Sequence, residues 1–194
     1  MSRQKKLDLQ PSKYYIYYVI WAVVAALVVS WVFSAIRNKN DDRVKVFICA
    51  YGVDESLGER LTADGKTPIV YVHSSEETYY YLTLQTKGLN ESDLLILPES
   101  QLTFERVTQA FTPLDSVGLD YAALTYAVDG VAYGVKVYDK EQKTGCLTDV
   151  ITYLKQGEPE EDYYLFFNGN TVGADGRGTT LVNAAAAVAR KIIG

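Results

Sequence analysis

Histidine occurs once in this chain, at His73, and cysteine twice, at Cys49 and Cys146. One histidine and two distant cysteines leave no metal-ligand cluster of the usual spacing. His73 and Ser74 are neighbours at a strand end, where successive side chains point to opposite faces, so they do not make a nucleophile and its base. Two cysteines permit one disulfide and no framework, and Cys49, inside an apolar run, reads as a buried free thiol. Phosphate-binding signatures are missing as well. No G-x-x-x-x-G-K-[ST] occurs, and Gly173, Gly176 and Gly178 do not follow the G-x-G-x-x-G order. Positive charge is scarce beyond residue 43, where 12 Lys and Arg face 21 Asp and Glu for a net charge of -9. A domain so acidic repels phosphate backbones, which excludes nucleic acid as a partner. Glu99 with Asp93 or Asp54 resembles a glycosidase carboxylate pair, but 21 acids produce such pairs by chance. The chain reads as non-enzymatic, with no cofactor.

What is present is a long apolar run. Tyr14 to Ile36 is 23 residues without a charge, between Lys13 and Arg37. At about 1.5 Å per residue it reaches roughly 34 Å, enough for a hydrocarbon layer of about 30 Å. Tyr14, Tyr15, Tyr17 and Tyr18 at one end and Trp31 and Phe33 at the other match the aromatic belts of the two interfaces. A buried core helix is usually shorter and keeps a polar face. A cleaved signal needs a shorter apolar region and a small-x-small site, and a lipoprotein signal needs a cysteine directly after it; neither is there. The expectation is an uncleaved single-pass anchor at residues 14–36 in the cell membrane. Lys and Arg are balanced, four on each flank, so the positive-inside rule is tied. The short tail, residues 1–13, is placed in the cytoplasm because it is too small to fold, leaving residues 37–43 as a charged linker and 44–194 as an extracytoplasmic domain.

That domain of about 150 residues can bury a core without staples. Its pattern alternates. Strands are expected at 44–51, 68–72, 93–97 and 163–167, a hairpin over 121–138 about Asp129-Gly130, and helices up to Leu61 and over 75–87, 102–111, 147–154 and 180–193. The implied fold is α/β, one mainly parallel, doubly wound sheet with helices on both faces. In such sheets ligands sit beyond the carboxyl ends of the strands. That rule nominates Tyr51, Asp54, Ser74, Ser75, Glu99, Ser100 and Asn168. Sixteen tyrosines stand out. Four belong to the membrane belt, several to strands, and Tyr79 to Tyr81, consecutive on a helix, cannot all face a core.

VKVFICAYG as a first strand, DLLILPES as a later one and DGVAYGVKVYDKEQKTG resemble the first lobe of extracellular solute-binding proteins that serve ABC importers of sugars and oligosaccharides. Asp129, Gly130, Tyr133, Gly134 and Val135 match a hinge strand that in that family leads to the second lobe. Lys136 replaces a proline, and Tyr138-Asp139-Lys140 stands in for the following turn. The resemblance implies a single membrane-anchored lobe, since the chain has no room for the second one that would close the cleft. A domain of this kind is expected to recognise a partner protein or a neighbour in a membrane complex; the alternative is binding of a sugar or other small solute for transport or sensing.

Overall fold

The computed structural model describes residues 11–41, 43–118, 124–153, 160–172 and 178–194. The chain divides into two units, residues 1–42 and 43–194. Helix α1, Pro11–Asp41, makes up the first. Pro11 suits a first helical turn, where its missing N–H removes no bond. The helix also takes in residues 37–41, expected from the sequence as linker. Side chains 15–32 are exposed all round it, and it is long and apolar enough to cross a membrane.

The second unit is an α/β domain. In chain order it comprises β1 (Lys45–Cys49), β2 (Gly52–Val53), α2 (Leu57–Arg60), β3 (Ile69–His73), α3 (Tyr80–Thr83), β4 (Leu94–Pro98), α4 (Phe104–Ala110), β5 (Thr125–Val128), β6 (Val131–Asp139), β7 (Thr144–Gly145), β8 (Ile151–Thr152), β9 (Tyr163–Phe167) and α5 (Gly178–Ile193). A wide helical turn, Leu84–Leu89, continues α3, and a 3-10 turn covers Leu114–Val117. The main sheet has the order β3-β1-β4-β9-β6-β5, with β7 paired to β6, while β2 and β8 form a separate ribbon.

Strands alternate their contacts between two cores. Val46, Ile48, Leu94, Ile96, Leu165 and Phe167 pack on one face against α2 and α5. Phe47, Cys49, Leu95, Leu97, Tyr164 and Phe166 pack on the other against Tyr80, Leu84, Val107 and Phe111. Neighbouring residues facing opposite cores is the period of two that a sheet buried on both sides requires.

The sheet is mixed. β1 runs parallel to β3 and β4, whereas β9 lies antiparallel between β4 and β6. β1, β3, β4 and β6 therefore share one direction. The reason for the reversal lies between β6 and β9. The helix expected over 147–154 does not form there: Leu147 adopts φ 57°, and the β-branched pair Ile151 and Thr152 forms β8, antiparallel to β2. With no crossover helix among the described residues of this connection, the chain returns beside β6 in the opposite sense. Leu154 itself lies outside the described residues.

One further expectation shifts, and another holds. The helix expected from Ser75 starts only at Tyr80, because the Glu77 carboxylate accepts the Ser74 N–H at 3.0 Å and the Ser74 hydroxyl accepts the Glu76 N–H at 3.3 Å, holding residues 74–77 as a turn. The β5–β6 hairpin turns at Asp129 and Gly130, with φ 51° and 80°, the left-handed pair of a type I′ turn. Its expected start at 121 lies outside the described residues, as does the loop holding Gly173 and Gly176.

Candidate functional site

The carboxyl ends of β1, β3, β4 and β6 define one rim of the sheet, and six of the seven nominated residues belong to it. Tyr51 and Asp54 follow β1, Ser74 and Ser75 follow β3, and Glu99 and Ser100 follow β4. Asn168 is elsewhere. It follows the antiparallel β9, so it lies at the opposite end, beside the start of β4, where its N–H bonds to the Asp93 carbonyl at 3.0 Å. Fully buried, its side-chain amide donates to the carbonyls of Ser92 at 2.7 Å and Leu89 at 2.9 Å, and its oxygen accepts the Asn170 N–H at 2.9 Å. The Asp93 carboxylate accepts the Lys45 N–H at 2.8 Å close by. Asn168 is thus a lock between loop 88–92 and β9. The acceptor-like sequence at Asn90 has its Ser92 fully buried, with the hydroxyl donating to the Lys87 carbonyl at 2.6 Å.

Residues 140–153 cross the rim as a strap. The Tyr51 N–H donates to the Thr152 carbonyl at 3.0 Å and the Asp54 N–H to the Val150 carbonyl at 2.8 Å, so the loop after β1 is roofed by backbone. Aromatics hold the strap down. Tyr138 stacks on Tyr153 with ring centroids 5.1 Å apart, Tyr163 meets Tyr153 at 5.0 Å, and the Tyr163 hydroxyl donates to the Tyr153 carbonyl at 2.7 Å. The Tyr153 hydroxyl in turn donates to the Cys146 carbonyl at 3.0 Å. Cys49 and Cys146 are both free thiols; burial pushes the Cys49 thiol up to about 11, which makes it inert.

An ionic cluster fastens the strap at β4 and β6. The Lys136 ammonium lies 2.9 Å from an Asp162 oxygen and 3.2 Å from an Asp139 oxygen. The other Asp162 oxygen accepts the Lys140 N–H at 2.8 Å, and the Lys140 ammonium reaches Glu99 at 2.9 Å. Ser100 donates its N–H to Glu161 at 2.9 Å, and Glu99 donates its own to the Asp162 carbonyl at 2.9 Å. Asp139 also closes the turn after β6, accepting the N–H groups of Glu141 and Gln142 at 2.9 Å each. The electrostatics follow this geometry. Burial opposes ionisation of Asp162, but the Lys140 N–H and the Lys136 ammonium outweigh it and hold the carboxyl below its usual range. The Gln142 N–H foremost, then Lys136, does the same for Asp139. Burial likewise opposes the charge on Lys136, and the two carboxylates overcome it, raising its affinity for the proton.

At the end of β3, His73 pairs through Nδ1 with Glu77 at 3.0 Å and stacks on Phe47 at 5.8 Å. No hydrogen bond from residues 140–153 reaches Ser74 or Ser75 among the described residues. Of the three consecutive tyrosines, Tyr80 is buried, whereas Tyr79 and Tyr81 are exposed, as are Leu82 beside them and Phe104 at the start of α4. Among the described residues no three His, Cys, Asp or Glu side chains are placed to hold a metal ion.

Lys136, Lys140, Glu161 and Asp162, which organise this rim, were not among the nominated residues. The available signal was Lys136, a lysine between the buried Val135 and Val137 of β6, and it is the cation at the centre of the cluster. No protein-family model, no curated protein and no solved structure matches the chain.

Proposed function

We propose that this protein is a single-pass membrane-anchored accessory domain, a reduced relative of a solute-binding lobe, that works by recognising a partner protein rather than by chemistry or solute capture. The reading places residues 14–36 of α1 in the membrane, residues 1–13 in the cytoplasm and the α/β domain outside it. An all-round apolar surface on a helix of this length supports the anchor. The observation that carries the functional reading is the strap. In a solute-binding lobe the chain leaving by the strand equivalent to β6 would build the second wall of a cleft; here residues 140–153 fold back over the rim, and the chain returns as β9. Glu99 is engaged by Lys140, the Ser100 N–H by Glu161, and the Tyr51 and Asp54 N–H groups by the strap. A small solute has little left to bury itself in. Exposed Tyr79, Tyr81, Leu82 and Phe104, on two helices that cover the same sheet face, offer the aromatic surface that protein recognition favours.

Solute binding is the second reading, favoured by a part of the rim that, among the described residues, the strap's hydrogen bonds leave alone, Ser74 and Ser75. A thermal-shift panel on the full-length protein separates the two. A solute at 100 times its dissociation constant adds about 2.7 kcal/mol, a rise of several degrees. Sugars, oligosaccharides, amino acids and peptides are expected to leave the transition where it is. A reproducible rise that disappears in Ser75→Ala would replace the partner reading with the solute one.

A further inference from the structure

Arg60, Lys87, Lys136, Lys140 and Lys143 each lie within 3.2 Å of a carboxylate oxygen. Arg106, half-buried on α4, meets no carboxylate among the described residues. Its Nη1 donates to the Gln101 carbonyl, a neutral acceptor that uses one of the five N–H groups of a guanidinium. Val107, the next residue, is buried against the sheet, so the Arg106 side chain leaves from a flank of the helix. That flank is the one turned to α3. Burial raises the proton affinity of the Tyr80 hydroxyl, and the Arg106 charge is near enough to act against it. Glu105 is exposed and lies about 100° further round α4, toward solvent. Tyr81 borders the same place. Its ring meets the buried Tyr80 ring edge-on, with centroids 5.6 Å apart, and it is exposed, as are Tyr79 before it and Leu82 after it.

We infer that Arg106 receives an aspartate or glutamate side chain of the partner protein, while Tyr79, Tyr81 and Leu82 cover apolar residues beside that acid. Charge selects this occupant. A half-buried guanidinium has given up part of its hydration, and its unused donors form the planar fork that matches a carboxylate. Its counter-charge is supplied by the other surface. Arginine and tyrosine are also the residue types that dominate the energetics of protein interfaces, and here both border one buried ring. The rest of an acidic domain repels an acidic segment, so one cation fixes where such a segment docks. The inference rests on the partner-binding reading and names the chemistry of the partner that this reading leaves open.

Photo-crosslinking of the full-length, membrane-embedded chain in the cells that make it tests this. Leu82→p-benzoylphenylalanine is expected to capture a protein other than this chain, attached, by mass spectrometry, close to an Asp or Glu of that protein. Arg106→Gln can still donate to the Gln101 carbonyl, so it should leave the thermal transition in place. It should lower the capture about tenfold or more, the scale for losing one side of a desolvated charge pair. Arg106→Lys keeps the charge and should keep most of the capture. Changing the mapped acid to Asn in the partner should give the same loss without touching this chain, and it decides where Arg106→Gln fails to fold. Asn183→p-benzoylphenylalanine, on α5 and the other face of the sheet, separates this inference from the reading beneath it. Capture from neither position overturns both. Three results overturn the inference alone: capture from Asn183 only, capture from Leu82 onto a second copy of this chain or far from any acid, and capture undiminished in a folded Arg106→Gln chain.

Discussion

Lys136 holds two carboxylates at once, with its side chain 18% exposed and that of Asp162 10% exposed. In such partial burial the pair is worth more for what its loss leaves behind than for its own attraction. Lys136→Met would leave Asp139 and Asp162 facing one another without a cation, and is expected to lower the unfolding free energy by about 3 kcal/mol in urea titrations at neutral pH. The sign of the pH dependence follows from the lowered carboxyls. Folded Asp139 and Asp162 give up their protons more readily than the ordinary value of 3.8 allows, so their contribution is complete above that value. It is lost as pH falls through it toward the lower folded values. The native protein should therefore lose stability steeply below about pH 4, and Lys136→Met should flatten that limb. An unchanged acid limb in Lys136→Met would remove the cluster as its cause.

At the scale of the element, β6 and β9 are joined so closely that one position tolerates only glycine. Gly134 pairs with Phe166, and a Cβ there would lie 2.5 Å from Phe166 Cε1. The ring has nowhere to go, being fully buried and stacked on Phe111 with centroids 4.4 Å apart. Gly134→Ala is expected to cost about 1–3 kcal/mol as overpacking; a melting temperature within a degree of the native one would show that the ring yields. This pair also shows what the sequence made legible. VKVFICAY, DLLIL and YYLFF were readable as strands because buried strands are continuous apolar runs, and Asp129-Gly130 was readable as a turn because few residues accept its backbone. The direction of β9 was not readable. Direction depends on the connection before it, and residues 147–153 carry an apolar spacing that a helix and a strap share; the left-handed backbone at Leu147 and the pairing of β8 with β2 decide between them only in three dimensions. The placement of Asn168 failed for the same reason, since the carboxyl end of an antiparallel strand is the wrong rim. Glu99 and Ser100 do lie beyond the carboxyl end of β4, but their engagement by Lys140 and Glu161 depends on contacts 41 and 61 residues apart in sequence.

At the scale of the whole molecule, the two units are held by unrelated forces. Residues 15–32 of helix α1 present apolar side chains on every side, a surface suited to a bilayer or a detergent. The α/β domain, in contrast, closes two cores over one sheet, with Phe47, Ile48, Leu94 to Leu97, Phe166 and Phe167 at or near zero exposure, and among the described residues these cores begin at Val44. Domains of this size fold cooperatively when such a core is complete. A chain beginning at Arg43 is therefore expected to be water-soluble and to unfold in urea in one transition, with a midpoint matching that of the domain within the full-length protein in detergent. A non-cooperative transition would show that the apolar helix completes the domain rather than merely tethering it.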